Sequence, residues 1–547
     1  MDFKTEIEKQ LKKEVGEVNL EIPPDFSLGD FALPCFSLAK ILKKNPNDIA
    51  RELKETFKSK YIERIEVKGP YLNFFVNKSI LAEDTVNSIL KLKERYGSSG
   101  IGKGQKMLIE HTSINPNASP HMGRARNALI GDAVARMHKF QGYKTEVHYY
   151  INDIGKQIAM LVLGSKGKKV NFDGLLDIYV KFNKELEKKP HLEKEVLGLL
   201  AKLETGDKKT KAEFKKIVDI CIKGQIEILG RLGIKYDIFD YESKYLFNKD
   251  TEEILKKLEK TKLLFIDEVG RNVLDLDGYG LPMKTPVFVL TRGDGTSLYG
   301  LRDLAYNAEK LKKCKNSLII LGEDQKLYFQ QIKLALELMK LDAPKVLHYS
   351  FILLQEGKMS TREGNVVLLG DFIKEAKKKS LNELKKRGRA DEKTAEMIGY
   401  GAVKYSILKV SPDKNVLFNW DQALDFEGDT GPYIQYSYAR ACSILAKEKR
   451  KGKVDASVLI DAKEKQLISK LSSFPEVVLD ATRQFRPQSI ANYLGDLAKC
   501  FNEFYQVCPV IKAEPKIKNA RLALVECTKY VLKNGLSLLG IDSPSKM

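Results

Sequence analysis

Cysteine is scarce in this 547-residue chain: there are seven, an odd number, and no two stand in a C-x-x-C spacing. That argues against both a disulfide framework and a zinc site, and no protein-bound metal is expected. It fits a reducing compartment, the cytoplasm. Long apolar runs are also missing, and none approaches the ~18 residues of a membrane span. The opening MDFKTEIEKQLKKEV is amphipathic and of mixed charge, unlike a signal sequence. Internal repeats are absent, and low-complexity sequence is limited to short lysine clusters. Two common nucleotide signatures fail as well. A P-loop ending at Gly357-Lys358 needs glycine at 352, where isoleucine stands, and GYGLPM (278–283) lacks the third glycine of a dinucleotide fingerprint. Acidic side chains are the minority charge: 73 Asp and Glu face 93 Lys and Arg, for a net charge of +20. That excess suits either a polyanionic partner, nucleic acid first, or a lysine-rich solvated surface. Charge alone does not choose between them.

What is present is enough apolar sequence, 43% of residues, to build sizeable cores in about three or four domains. Residues 1–100 mix helices and strands. NPNDIARELKETF reads as a capped helix, and IERIEVKGPYLNFFVN as two strands around a Gly-Pro turn. The Gly-rich YGSSGIGKGQK (96–106) reads as a linker. In 106–372, the apolar segments MLIEHTS, TEVHYYI, PVFVLT, SLIIL and VLHYSFILL alternate with helical stretches. This predicts an α/β, Rossmann-like parallel sheet whose ligands sit beyond the carboxyl ends of its strands. An insertion of about 165–285 interrupts it, and 373–547 is predicted to be all helical.

The stretch NPNASPHMGRARNALIGD (115–132) leaves the first of those strands. Ser119 and Pro120 suit an N-cap and first helical residue, predicting a helix from 120 to about 140 with Leu129, Ala133, Met137 and Phe140 at helical spacing. His121, Gly123 and Arg124 then crowd a helix N-terminus, where free N–H groups and the helix dipole favour phosphate. Alone, this fits a nucleotide site and a capped helix with an incidental histidine equally well. A second loop, GKMSTREGN (357–365), adds Lys358 and Arg362, with Lys358 237 residues after His121.

PHMGR resembles the HIGH signature of class I aminoacyl-tRNA synthetases, and GKMST their KMSKS loop. IEHTSINPN, YYINDIGKQ, SLYGLRDLAYN, LGEDQ, FNWDQALDFEGDTGPYIQYSYARACSIL and the terminal SLLGIDSPSKM narrow the resemblance to arginyl-tRNA synthetases. EIPPDFSLGDFALPCFSLAK and GPYLNFF are similar to that family's additional N-terminal domain, so the likeness runs nearly end to end. It is weakest across 165–250.

The resemblance implies an enzyme that forms arginyl-adenylate and pyrophosphate from arginine and ATP, with Mg2+. The arginyl group then passes to the 3′-terminal adenosine of tRNA(Arg), with no covalent enzyme intermediate. No Ser-His or Cys-His signature suggests one either. His121, Lys358, Arg124 and Arg362 are the implied catalytic cations and donors. Pro120, His121, Gly123, Arg124, Lys358, Met359 and Ser360 are the implied ATP contacts. Two positions depart from the family pattern: Arg124 replaces the second His of HIGH, and Thr361 the second Lys of KMSKS. Arg362 is the candidate replacement cation for the latter, or else a solvated loop residue.

The resemblance assigns arginine recognition to Glu110, Asn115, Tyr299, Asp303 and Gln325. A planar guanidinium needs carboxylate partners. Glu110 and Asp303 would take the guanidinium and the amino group, in either assignment. Asp303 could alternatively cap the helix of LRDLAYNAEKL.

In the helical C-terminus, which resembles the family's anticodon-binding bundle, Trp420, Phe426, Tyr433, Tyr436, Tyr438 and Arg440 suit stacking on unpaired bases, or core packing. Trp420, Tyr436, Arg440 and the last residue, Met547, are the implied tRNA contacts. The N-terminal domain resembles the part that touches the tRNA elbow. A monomer without membrane attachment, whose amino-acid activation requires bound tRNA, is the family expectation.

Overall fold

The computed structural model describes residues 3–21, 23, 25, 28–354, 367–388 and 391–547. Lys358, Met359, Ser360, Thr361 and Arg362 therefore lie outside the described residues. The chain forms two compact units: residues 1–96, 437–475 and 496–534 make one, and 97–436, 476–495 and 535–547 the other.

In the first unit, strand Tyr71–Val76 lies between Phe31–Pro34 and Ile62–Lys68 in an antiparallel sheet. The hairpin turns at Gly69, whose φ of +58° suits a residue without Cβ. Helix Pro46–Thr56 is capped by Asn45, whose side chain accepts from the Asn47 N–H. Ile7, Leu11, Leu33, Leu53, Phe57, Leu72 and Phe74 fill the core. The C-terminal segments of this unit dock on helix Lys78–Leu92 and its exit. Tyr96 donates its hydroxyl to Leu471 O at 3.1 Å, and Asn534 Nδ2 donates to the carbonyls of Lys93 and Tyr96.

The second unit is built on a five-stranded parallel sheet in the order Lys345–Tyr349, Ser317–Gly322, Lys106–Glu110, Lys144–Ile151, Ile238–Tyr241. The chain runs outward on one side from the central strand 106–110, then returns to build the other side. The topological switch, where such sheets bind ligands, is therefore at the carboxyl end of that strand.

Several expectations need correction. PVFVLT contributes Val287–Val289 not to this sheet but to a separate antiparallel one with Leu264–Ile266 and Asn272–Asp275. VLHYSFILL is two strands. At Ser350 the N–H turns to Pro412 O and the hydroxyl to Glu323, so Ile352–Leu354 leaves the sheet and pairs with Val416–Phe418 inside the helical C-terminal region. The insertion hides the edge strand Ile238–Tyr241. Its Asp240 bonds His148 of the neighbouring strand, so a polar residue breaks the apolar pattern. The Gly-rich 96–106 stretch is fastened rather than free: Ser99 N–H donates to Gln141 Oε1, Gln141 Nε2 to Gly97 O, and Gly102 N–H to Gln141 O. Finally, the signature helix is Met122–Phe140, two residues shorter at its start than expected. Pro120 and His121 stay extended because Leu369 N–H donates to Pro120 O at 2.8 Å and Met122 N–H to Val367 O at 3.0 Å.

Candidate active site

The central strand ends at Glu110, and the next two turn residues, Thr112 and Ser113, have φ of +83° and +39°. Non-glycine residues adopt such values at a cost of about 1–3 kcal/mol each, so the surroundings must hold them. Thr112 N–H donates to Asn127 Oδ1 at 2.5 Å, and its hydroxyl lies 2.6 Å from the Tyr236 hydroxyl. Asn127 in turn donates to Ile320 O on the neighbouring strand at 2.8 Å, locking both sides of the switch together. The loop continues over the fully buried Gln225 of helix Lys208–Arg231. Gln225 Nε2 donates to the carbonyls of Asn115 and Ala118, and its Oε1 accepts from Tyr149 at 2.7 Å. Asn115 is thereby exposed at the sheet edge, its amide donating to Gln157 at 3.2 Å.

His121 is the N-cap residue of the signature helix but uses no side-chain cap. Its Nδ1 is buried without a partner among the described residues. Burial first, and then the Arg124 charge, lower its pKa to about 4, so the imidazole is neutral at pH 7. Gly123 and Arg124 share the helix's first turn, whose dipole end favours anions. Arg124 has no ion-pair partner among the described residues. The segment 367–369, which leaves the stretch containing Lys358, is bonded to Pro120 and Met122 at this same turn.

Arg126, one turn further on, is a residue the sequence reading missed. It is fully buried and donates to Ser350 O (2.6 Å), Lys414 O (2.7 Å) and Ser411 O (2.9 Å). Its only trace in the sequence is a charge on the helix face of Met122 and Leu129, which are buried.

Helix Tyr299–Lys313 starts at Tyr299, so Asp303 sits inside it and is not its cap. Tyr328 donates to Asp303 Oδ2 at 2.5 Å. The adjacent Arg302 turns away, bonding Glu242 at 2.7 Å and the carbonyl of Ser297. Burial raises the Asp303 carboxyl to about 6; the Tyr328 and Tyr150 hydroxyls pull it down, and the Glu110 charge pushes it up. Tyr299 is half-exposed, its ring 5.1 Å from that of Tyr328. Glu110 differs from Asp303: it is buried and its charge is met by Lys310. Of the two carboxylates, Asp303 is thus the one with hydroxyl support and, among the described residues, no cation bonded to it. Gln325 ends a short turn, Glu323–Gln325, after the neighbouring strand, and its amide makes one long contact, 3.4 Å, to Asp324. Asn115, His121, Gly123, Arg124 and Gln325 thus follow the carboxyl ends of sheet strands or open the signature helix, and Tyr299 and Asp303 lie in the first two turns of their own helix.

The expected tRNA residues have intramolecular partners. Trp420 stacks on Phe372 at 4.5 Å and meets Phe418 edge-on, which is the packing alternative to base stacking. Arg440 donates to Asn502 and lies 5.3 Å from the Tyr505 ring. Tyr436 is half-buried. Met547 packs with Leu381, Leu384, Ala395, Ile398 and Phe426. Among the described residues no helix is long and apolar enough to cross a membrane, and no cluster of three or more His, Cys, Asp or Glu is arranged to hold a metal.

A parallel sheet with this switch-point turn is the architecture of the class I aminoacyl-tRNA synthetases. The model of class I (R) tRNA synthetase catalytic domains matches residues 85–420, that of DALR anticodon binding domains 434–547, and that of arginyl-tRNA synthetase N-terminal domains 1–76. The arginine–tRNA ligase of Methanocaldococcus jannaschii is 40% identical, covering 100% of this chain and 98% of its own. The arginyl-tRNA synthetase of Thermus thermophilus superposes with a TM-score of 0.85 at 28% identity, over 100% of both chains. That of Plasmodium falciparum shares the fold, with a TM-score of 0.82 at 20% identity, over 100% of this chain and 98% of its own. The chain belongs to the arginyl-tRNA synthetase family.

Proposed function

We propose that Asp303 receives the guanidinium of arginine and that the turn Pro120–Arg124 holds ATP on the other side of the switch crevice. The chain is an arginine–tRNA ligase, activating arginine with ATP and transferring it to tRNA(Arg). The observation that carries the assignment of Asp303 is a carboxylate raised to about 6, supported by Tyr328, with no cation bonded to it among the described residues. A bound guanidinium supplies the missing charge and displaces the proton. Glu110, closed by Lys310, acts behind it. Tyr299 covers the aliphatic stem, and Asn115 and Gln325 orient the amino-acid head.

The arginine carboxylate attacks the α-phosphate of ATP in line, so the protein's work is positioning and charge neutralisation. Neutral His121 donates or accepts a hydrogen bond without placing a third charge beside Arg124. Lys358 and Arg362, with Met359 and Ser360 beside them, supply further donors to the phosphates, and Mg2+ accompanies ATP as part of the substrate. An aminoacylation assay with radiolabelled arginine and total tRNA tests the whole reading. Adenylate formation without charging would count against it, and so would tRNA binding alone.

Lys358→Ala is expected to lower kcat for pyrophosphate exchange by about 100-fold or more, the loss of one preorganised donor, with a far smaller change in the KM for arginine. An effect confined to KM would remove Lys358 from the transition state. The protein acts as a cytoplasmic monomer, and its arginine activation requires bound tRNA. Lysines and Arg440, with Tyr436 and Met547, contribute to tRNA contact, while Trp420 packs against Phe372 and Phe418. Binding to tRNA is expected to weaken about tenfold or more between 50 and 200 mM salt. A flat response in filter binding would assign the lysine excess to solvation alone.

A further inference from the structure

The helix carrying Tyr299 and Asp303 presents Tyr306 and Lys310 on the same face. Tyr306 donates its hydroxyl to Asp240 Oδ2 at 3.0 Å, and its ring stacks on Tyr150 at 4.4 Å with 13° between planes. Lys310, the partner of Glu110, sits 4.5 Å over the Tyr306 ring. Tyr150 has its hydroxyl buried beside Asp303, without a hydrogen-bond partner of good geometry. Behind this stack is His148, whose side chain is only 3% exposed. Its Nδ1 lies 2.5 Å from Asp240 Oδ2 and its Nε2 2.8 Å from Glu146 Oε1. A neutral imidazole has one N–H and would turn a lone pair on one of these carboxylates. Two carboxylates on two ring nitrogens therefore require the imidazolium. The charged and titratable groups around the ring are Glu146 on its own strand, Asp240 on the edge strand, Glu110 on the central strand, and Tyr306, Lys310 and Lys313 on the helix. Of the two ammonium groups, Lys310 is bonded to Glu110 and Lys313 to Glu309, and the histidine pKa is raised by Asp240, Glu146 and Glu110 despite burial.

We propose that His148 is a positioning residue for arginine recognition: a buried imidazolium that holds Asp240 and, through Tyr306 and Tyr150, sets the helix face from which Asp303 meets the substrate. The proposal rests on the assignment of Asp303 to the guanidinium. Without His148, Asp240 is a partly buried carboxylate with Tyr306 as its hydroxyl donor, and it draws in water or another cation. Lys310, whose charge Asp240 already feels, is one such cation, and its departure would release Glu110. Either rearrangement displaces the Tyr306–Tyr150 stack next to the Asp303 carboxylate. ATP sits on a different helix and should not sense the change.

The test uses the full chain with tRNA present and the variants His148→Phe, His148→Gln and Asp303→Asn. His148→Phe is expected to raise the KM for arginine by about tenfold. His148→Gln, which keeps one donor, should raise it less. For both, kcat and the KM for ATP should stay within about twofold, a split that general damage to the fold would not give. The chain has six histidines, so imidazole carbon labelling resolves them by NMR. The signal lost in His148→Gln should report an imidazolium at pH 7.5 and should shift when arginine is added. An unchanged KM for arginine in both variants, parallel losses for arginine and ATP, or a neutral His148 signal would each overturn the proposal. Should His148→Phe not fold, His148→Gln and the wild-type spectrum decide. If Asp303→Asn also binds arginine normally, it is the pocket assignment that fails. If it loses arginine while the His148 variants do not, only the role of His148 fails.

Discussion

Asp303→Asn is expected to abolish arginine activation while making the unliganded protein more stable at pH 8. The carboxyl rises from 3.8 to about 6 in the fold. Folding therefore favours its protonated form, and the stability this gives is present at low pH and lost as pH rises towards and through 6. Above that, the ionised group costs on the order of 2–3 kcal/mol, less whatever solvent in the crevice screens. Asparagine carries no charge to desolvate, and its carbonyl still accepts from Tyr328. Melting scans at pH 5 and pH 8 should show the variant gaining on the wild type only at the higher pH. In the wild type, arginine uptake should release about half a proton at pH 6 and closer to one as pH drops below that value, where arginine affinity should fall. Calorimetry in two buffers of different ionisation enthalpy measures both. Activity of Asp303→Asn at ordinary arginine concentration would refute the role.

Arg126→Met is expected to be the most destabilising single change in the signature helix. The buried guanidinium bonds no carboxylate among the described residues and instead holds the carbonyls of Ser350, Ser411 and Lys414. Burial lowers its pKa only to about 10, so it stays charged at pH 7. Removing it takes the donor from the buried Ser350 carbonyl and from the part-buried carbonyls of Lys414 and Ser411, the last of which keeps the Lys414 N–H, a loss on the order of 2–4 kcal/mol. It also unties Ser350, from which the chain runs on to the stretch holding Lys358, from the helix that follows His121. At a temperature where the variant is still folded, pyrophosphate exchange should fall about tenfold or more in kcat while arginine binding stays within a few-fold. Lysine at 126 should recover little, since one ammonium cannot reach carbonyls in three directions. A variant with wild-type melting and exchange would show that these bonds contribute nothing to the site.

The α/β class and the position of His121 at the sheet's carboxyl edge were legible because apolar strands of four to eight residues alternate with amphipathic helices. Tyr299 and Asp303 were reached only by resemblance. Nothing in the local pattern distinguishes Asp303 from a helix cap until the helix start is seen at Tyr299. The edge strand Ile238–Tyr241 was illegible for the reason that makes it useful: Asp240 faces a histidine across the sheet. Arg126, Gln225 and Lys310 escaped notice because each meets its partner over roughly 100 residues or more of sequence. A charged or amide side chain among apolar neighbours gives no sign of where its partner is. The early start expected for the signature helix was a propensity argument, overridden by two backbone bonds to Val367 and Leu369.

Gln225 and strand Ile238–Tyr241 both come from the segment that reads as an insertion between the two halves of the sheet. One props up the loop bearing Asn115 and the other closes the sheet beside His148. That segment is therefore not a detachable appendage. A minimised catalytic core made by splicing it out would lose a sheet margin and the support beneath its own amino-acid pocket, so trimming the enzyme has to begin elsewhere.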